Sequence, residues 1–253
     1  MLFKIIIMSE IKFTNYILFL ISALIIGYLF FASGDVARFF GWPDYYDIIM
    51  KIGIIIILCL YAVKRGDLRS LFNVHFQWHY LLLIIIPVIF SIVLQNCPLD
   101  FEPYPSFILT TVLGTLTTAI WEELFFRYVG CSLFEENGKF RWYNILFLAL
   151  AFSIGHLFNG FVDGWYATSC QIVFTVGLGV FTLGLYIHSK SIIAPIIAHF
   201  CINSVADYFN LYATSDARAM AYIGNLADPV LILDAIVLVI IGFYILKKNK
   251  HII

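Results

Sequence analysis

The sequence predicts an all-α polytopic membrane protein, a bundle of about eight transmembrane helices with both termini in the cytoplasm. Three observations carry that expectation. Of its 253 residues, 62% are hydrophobic and only 12% are charged, where a soluble domain carries about a quarter charged. Mean hydropathy is +0.94, so a folded chain has too few polar residues to cover itself in water. The apolar residues also come in long runs, and a bilayer crossing needs about 20 residues.

Eight such runs are read, near 13–32, 45–63, 78–95, 106–129, 142–158, 166–188, 191–206 and 229–246. Their lengths specify helices, because barrel strands are about half as long and alternate in polarity. Orientation follows from the basic residues, which concentrate on the cytoplasmic side of membrane proteins. With the N-terminus inside, the inner segments hold Lys4, Lys12, Lys64, Arg65, Arg69, Lys139, Arg141, Lys190, Lys247, Lys248 and Lys250. Outer segments hold only Arg38 and Arg218, and they collect the acids Asp35, Asp44, Asp100, Glu102, Asp163, Asp207, Asp216 and Asp228. The first run is read as a span and not a cleaved leader, because it exceeds the usual apolar core of a signal peptide, about 7–15 residues. Met8 offers an alternative start.

No repeat or low-complexity tract divides the chain, and the longest loop, near 207–228, is too short for a separate fold. The expectation is one integral membrane domain, 1–253, in the cell membrane. Basic stripes and RNA-binding aromatic motifs are absent, so nucleic acid is excluded as a partner and the lipid bilayer is expected. Five cysteines, Cys59, Cys97, Cys131, Cys170 and Cys201, are scattered without a CxxC spacing. They read as small apolar residues and not as a disulfide framework.

Ionisable residues inside a span are costly and point to function. Asp47, Lys51 and Asp234 are placed near outer span ends, within reach of water, and are set aside. Three deeper groups remain. The fourth run contains Trp121-Glu122-Glu123-Leu124-Phe125-Phe126-Arg127, the fifth ends in Phe152-Ser153-Ile154-Gly155-His156, and the seventh contains His199-Phe200-Cys201-Ile202-Asn203. His199 and Asn203, four apart, share a helix face. Pro195 either opens that helix or kinks it. The other histidines, His75, His79, His188 and His251, lie in loops or at span ends and receive no role.

Glu123 and Arg127 form an i,i+4 pair that can neutralise itself. Glu122 is turned by about 100° from Glu123 and has no cation of its own, which suits it to general-base work in a partly desolvated bundle. Each group alone also serves as ordinary intramembrane glue, an ion pair or a polar side chain bonded between helices. Two acids, two histidines and an amide together point to chemistry.

The order Glu-Glu-x-x-x-Arg, Phe-x-x-x-His, His-x-x-x-Asn resembles the CAAX protease and bacteriocin-processing (CPBP, Abi-like) family of intramembrane endopeptidases. The resemblance covers about residues 106–206, the expected catalytic core. It implies that Glu122 and His156 activate a water, that His199 and Asn203 steady the tetrahedral oxyanion, and that Glu123 and Arg127 support them. It also implies a membrane-associated substrate, a CAAX-type protein or a leader-bearing or bacteriocin-type peptide. Peptide hydrolysis needs such a base and such donors, and no serine elbow or HExxH motif offers another route.

Glu122, His156 and His199 can ligate zinc with a position open for water. The same residues suffice as a metal-free acid/base set, and that reading, with no cofactor, is preferred. Two other functions compete: a catalytically silent immunity or partner-binding protein on the same scaffold, and a transporter relaying protons through Glu122 or His156. Residue counts from a presumed turn at Asn137-Gly138 put Glu122 and His156 at similar depths, whereas His199, counted from Lys190, comes out shallower.

Overall fold

A computed structural model of the chain describes residues 13–30, 32, 46–73, 78–95, 105–161, 164–212, 227–248 and 252. Outside them fall Lys4, Lys12, Arg38, Arg218, Lys250, His75, His251, Cys97, the acids Asp35, Asp44, Asp100, Glu102, Asp163 and Asp216, and most of the 207–228 loop.

Among the described residues the fold is all-helical, and its long helices fall on the eight apolar runs. They are α1 (Phe13–Phe30), α2 (Tyr46–Arg65), a short α3 (Leu68–Leu71), α4 (Trp78–Gln95) and α5 (Pro105–Glu122). A π-helical turn, Glu123–Val129, continues α5 into α6 (Gly130–Phe134). Next come α7 (Trp142–Ile154), extended by a 3₁₀ segment Gly155–Phe161, then α8 (Trp165–Ser189), α9 (Ile193–Tyr212) and α10 (Ala227–Lys247). Four of the described helices are long and apolar enough to cross a membrane: Phe13–Phe30, Tyr46–Arg65, Trp142–Phe161 and Trp165–Ser189.

The helices divide into rim and centre. α1 and α2 bury only 11% of their apolar windows inside the protein, whereas α8 buries 67%. α8 is therefore the axis around which α7, α9 and α10 pack. Small residues allow the approach. A Cβ on Gly177 would meet the Ala235 carbonyl oxygen at 2.7 Å, and one on Gly242 would meet the Phe181 backbone at 2.9 Å. Lipid supplies no hydrophobic gradient between helices, so this close packing is what binds them. On the other flank Phe19 of α1 stacks on Phe125 at 5.2 Å and meets the edges of Phe126 and Phe134.

The connections explain where the helices end. Asn137 and Gly138 both take positive φ, and Glu136 and Lys139 exchange backbone hydrogen bonds of 2.8 and 3.0 Å across them. Asn-Gly is the favoured pair for such a two-residue turn, and the presumed turn lies where it was expected. α8 ends at Lys190, again at positive φ. The Ser191 hydroxyl then accepts from the Ile193 N–H at 3.2 Å, and the Ile192 N–H bonds the Leu71 carbonyl at 2.9 Å. Pro195 falls in the first turn of α9, where its missing N–H costs nothing; it opens the helix and does not kink it.

One assignment is corrected. Asp234 does not reach water: it is 3% exposed, one residue before the Ala235–Gly177 contact between α10 and α8. The helix face it occupies, which position along the chain does not reveal, turns it into the bundle. Asp47 does stay half-exposed, paired with Lys51 one turn along.

Candidate active site

The π turn carries the acids. Its ladder runs i→i+5, a winding concentrated at functional sites, and it begins at Glu123 directly after the last α-helical residue, Glu122. The two carboxylates meet the same histidine but are held differently. Glu123 is fully buried and held from two sides. Its Oε2 lies 2.9 Å from Arg127 Nε, which is the expected i,i+4 pair. Its Oε1 lies 2.7 Å from His199 Nδ1 on α9. Glu122 Oε2 has no hydrogen-bond partner among the described residues and faces His199 Nε2 at 3.6 Å.

His199 therefore stands between the two glutamates, bound through Nδ1 and open at Nε2. The sequence pairs neither glutamate with it, since 76 residues separate it from Glu123. Their contact puts Glu123 and His199 side by side, whatever depth residue counts along their separate helices assign them.

Arg127 is 1% exposed. Besides Glu123 it donates through Nη2 to the Thr182 hydroxyl of α8. Its guanidinium lies over the Phe152 ring, 4.3 Å from the centroid, a cation–π contact that a desolvated site strengthens. The edges of His199 and His156 meet the same ring at centroid distances of 5.8 and 5.4 Å. Phe152 thus adjoins the arginine and both histidines of the three motifs.

His156 lies not on an α-helix but on the 3₁₀ segment that follows α7, with Nδ1 3.3 Å from the Phe152 carbonyl. Gly155, beside it, is approached so closely by α1 that a Cβ on Gly27 would come within 2.5 Å of the Gly155 oxygen. Asn203 lies one turn after His199 on α9 and is partly buried. Among the described residues no three His, Cys, Asp or Glu side chains are grouped so as to hold a metal ion.

Two neighbours of these residues received no role from the sequence. Thr182 was hidden in an apolar run, although a hydroxyl at the middle of a span is itself a signal. Trp121, 5% exposed, stacks on Phe30 at 4.8 Å and leaves its indole N–H without a hydrogen-bond partner among the described residues, next to Glu122.

Apolar helices wrapped around buried carboxylates, an arginine and a histidine define a membrane protein with ionisable groups in its interior. Residues 104–205 match the family model described as Type II CAAX prenyl endopeptidase Rce1-like. This bears out the resemblance carried by the three motifs, all of which fall inside the matched stretch, and that family is one of membrane proteases. No match was found among curated proteins or among solved structures.

Proposed function

We propose that the chain is an intramembrane endopeptidase that hydrolyses a peptide bond in a membrane-associated protein or peptide, of CAAX type or of leader or bacteriocin type. The observation that carries this reading is Glu122, a buried carboxylate with an unpartnered oxygen 3.6 Å from the free nitrogen of His199. It lies within the stretch that matches a protease family.

In this reading Glu122, with His156, takes a proton from a water, and the water oxygen attacks the scissile carbonyl carbon. Negative charge gathers on the carbonyl oxygen. For His199 to donate to that oxygen its ring must carry a proton on each nitrogen, Nδ1–H toward Glu123 and Nε2–H toward the oxyanion, and in this reading it does so together with Asn203. Donors fixed in place before reaction are what such a site needs. As the C–N bond breaks, Glu122 returns the proton to the leaving amine. Glu123 and Arg127 hold His199 and do not touch substrate.

The same proposal takes the chain as one membrane domain with its catalytic core in 106–206. It takes the helical segments as eight spans in the cell membrane, with both termini and segment 64–69 cytoplasmic. Labelling of Lys64→Cys from the cytoplasmic side only is the expected result, and labelling from outside only would overturn that topology.

The reaction is tested with the intact protein in proteoliposomes, offered prenylated CAAX peptides and leader-type peptides beside Glu122→Ala. Cleavage of at least one class by the wild type and of none by the variant is expected. Equal cleavage by both, or by neither, would overturn the peptidase reading.

A further inference from the structure

Thr182 is fully buried between Phe181 and Leu183 on the central helix. None of the three sequence motifs includes it. A hydroxyl has one hydrogen to give, and Thr182 gives it to the Leu178 carbonyl one turn back, at 2.8 Å. Its oxygen is left to accept, and it accepts from Arg127 Nη2. Donor and acceptor roles are thereby fixed by the helix itself.

From there a single line of contacts runs to the reacting centre. Arg127 Nε lies 2.9 Å from Glu123 Oε2, Glu123 Oε1 lies 2.7 Å from His199 Nδ1, and His199 Nε2 faces Glu122 at 3.6 Å. The bond to Thr182 is the guanidinium's hydrogen-bonded anchor among the described residues: Nε and Nη1 make no hydrogen bond, Nε meeting Glu123 as an ion pair, and the Phe152 face below it restrains tilt and not rotation in the ring plane. We propose that Thr182 is a positioning residue. It locks the rotation of Arg127 and, through Glu123, aims His199 Nε2 at the site.

Without the hydroxyl, Arg127 keeps its charge and its place over Phe152 but loses the contact that sets its in-plane angle. Glu123 follows the guanidinium, and the imidazole follows Glu123. Small misplacements of reacting groups are enough to slow chemistry strongly. Substrate binding is untouched, because none of these groups contacts the substrate except His199, whose donation strengthens as the oxyanion forms. The loss therefore falls on kcat and not on KM.

This inference rests on the peptidase reading for its kinetic arm, and a second arm does not. The intact protein is compared with Thr182→Val, which keeps the volume nearly constant, and Thr182→Ser, which keeps the hydroxyl. Where Thr182→Val does not fold, Thr182→Ala removes the same hydroxyl without placing a methyl against Arg127. Expected are a kcat lower by about 10-fold or more, the weight of one hydrogen bond to a charged group, an unchanged KM, and recovery of most of the loss in Thr182→Ser. The second arm reads the ¹⁵N resonances of His199. They shift in Thr182→Val and return in Thr182→Ser. Wild-type kcat in Thr182→Val, a loss that Thr182→Ser does not recover, or unmoved His199 resonances would each overturn the proposal. If the wild type cleaves nothing, the peptidase reading fails by itself, and the His199 resonances alone decide whether Thr182 positions the ring.

Discussion

The seam between α8 and α10 and the turn that carries Glu122 to Arg127 are both buried, yet they are built in opposite ways. The seam is closed by absence of side chain: Gly177 lies against the Ala235 backbone, and Gly242 against that of Phe181. The turn is crowded with charge, its Glu123 and Arg127 almost wholly enclosed. The first is the economical way to join helices in lipid, where close backbone contact replaces the hydrophobic effect. The second is expensive, because each charge must find partners in a low dielectric. α8 serves both. Its Gly177 and Gly184 meet α10 along one face, while Thr182 reaches Arg127 along another.

The comparison predicts that changes at the turn alter chemistry and changes at the seam alter stability. The largest effect belongs to Glu122→Gln. The substitution keeps the shape and removes the proposed base, so turnover should fall by about 10²–10⁴ while the thermal midpoint in detergent stays where it was. Full activity in the purified variant would remove Glu122 from the mechanism. Asn203→Ala, which deletes one of the two proposed oxyanion donors, should slow turnover by about 10²–10³ and leave measurable activity in a peptide-cleavage assay. Complete inactivity with an intact fold would give Asn203 a larger part than donation.

Glu123→Gln crosses the divide. It leaves Arg127 without its carboxylate in the interior, a loss on the order of 3–5 kcal/mol in chemical denaturation, and it also releases His199. A variant as stable as the wild type would show that the ion pair does not hold the turn. At the seam, Gly242→Ala places a Cβ 2.9 Å from the Phe181 backbone. It should destabilise by about 1–3 kcal/mol with kcat retained below the unfolding temperature. Loss of activity at unchanged stability would mean that the seam and the site are not separable. The smallest expected effect is none: exhaustive chelation should leave activity as it was. About one zinc per chain by elemental analysis, lost in His199→Ala together with activity, would replace the metal-free mechanism with a metal-assisted one.

Much of this was legible along the chain. The Asn137-Gly138 pair announced its turn because only a few residues accept positive φ at both positions. The i,i+4 spacing announced Glu123 with Arg127, and the ion pair survives even though the segment is wound as a π turn. That winding has no residue signature of its own. Nor did the position of Asp234 near a span end reveal that it is buried, since depth along a helix and direction around it are independent.

Hydropathy, charge asymmetry and motif order are properties of neighbouring residues, and they determined that the chain is helical and apolar, where its helices fall, and which six side chains to watch. Which of those side chains meet was decided only by tertiary structure. His199 and Glu123 are separated by 76 residues, and Arg127 and Thr182 by 55. Such pairings depend on how α8 and α9 are rotated and staggered against the π turn. Rotation and stagger come from small-residue contacts such as Gly179 against Ala149, made between elements far apart in the chain, where no local spacing records them.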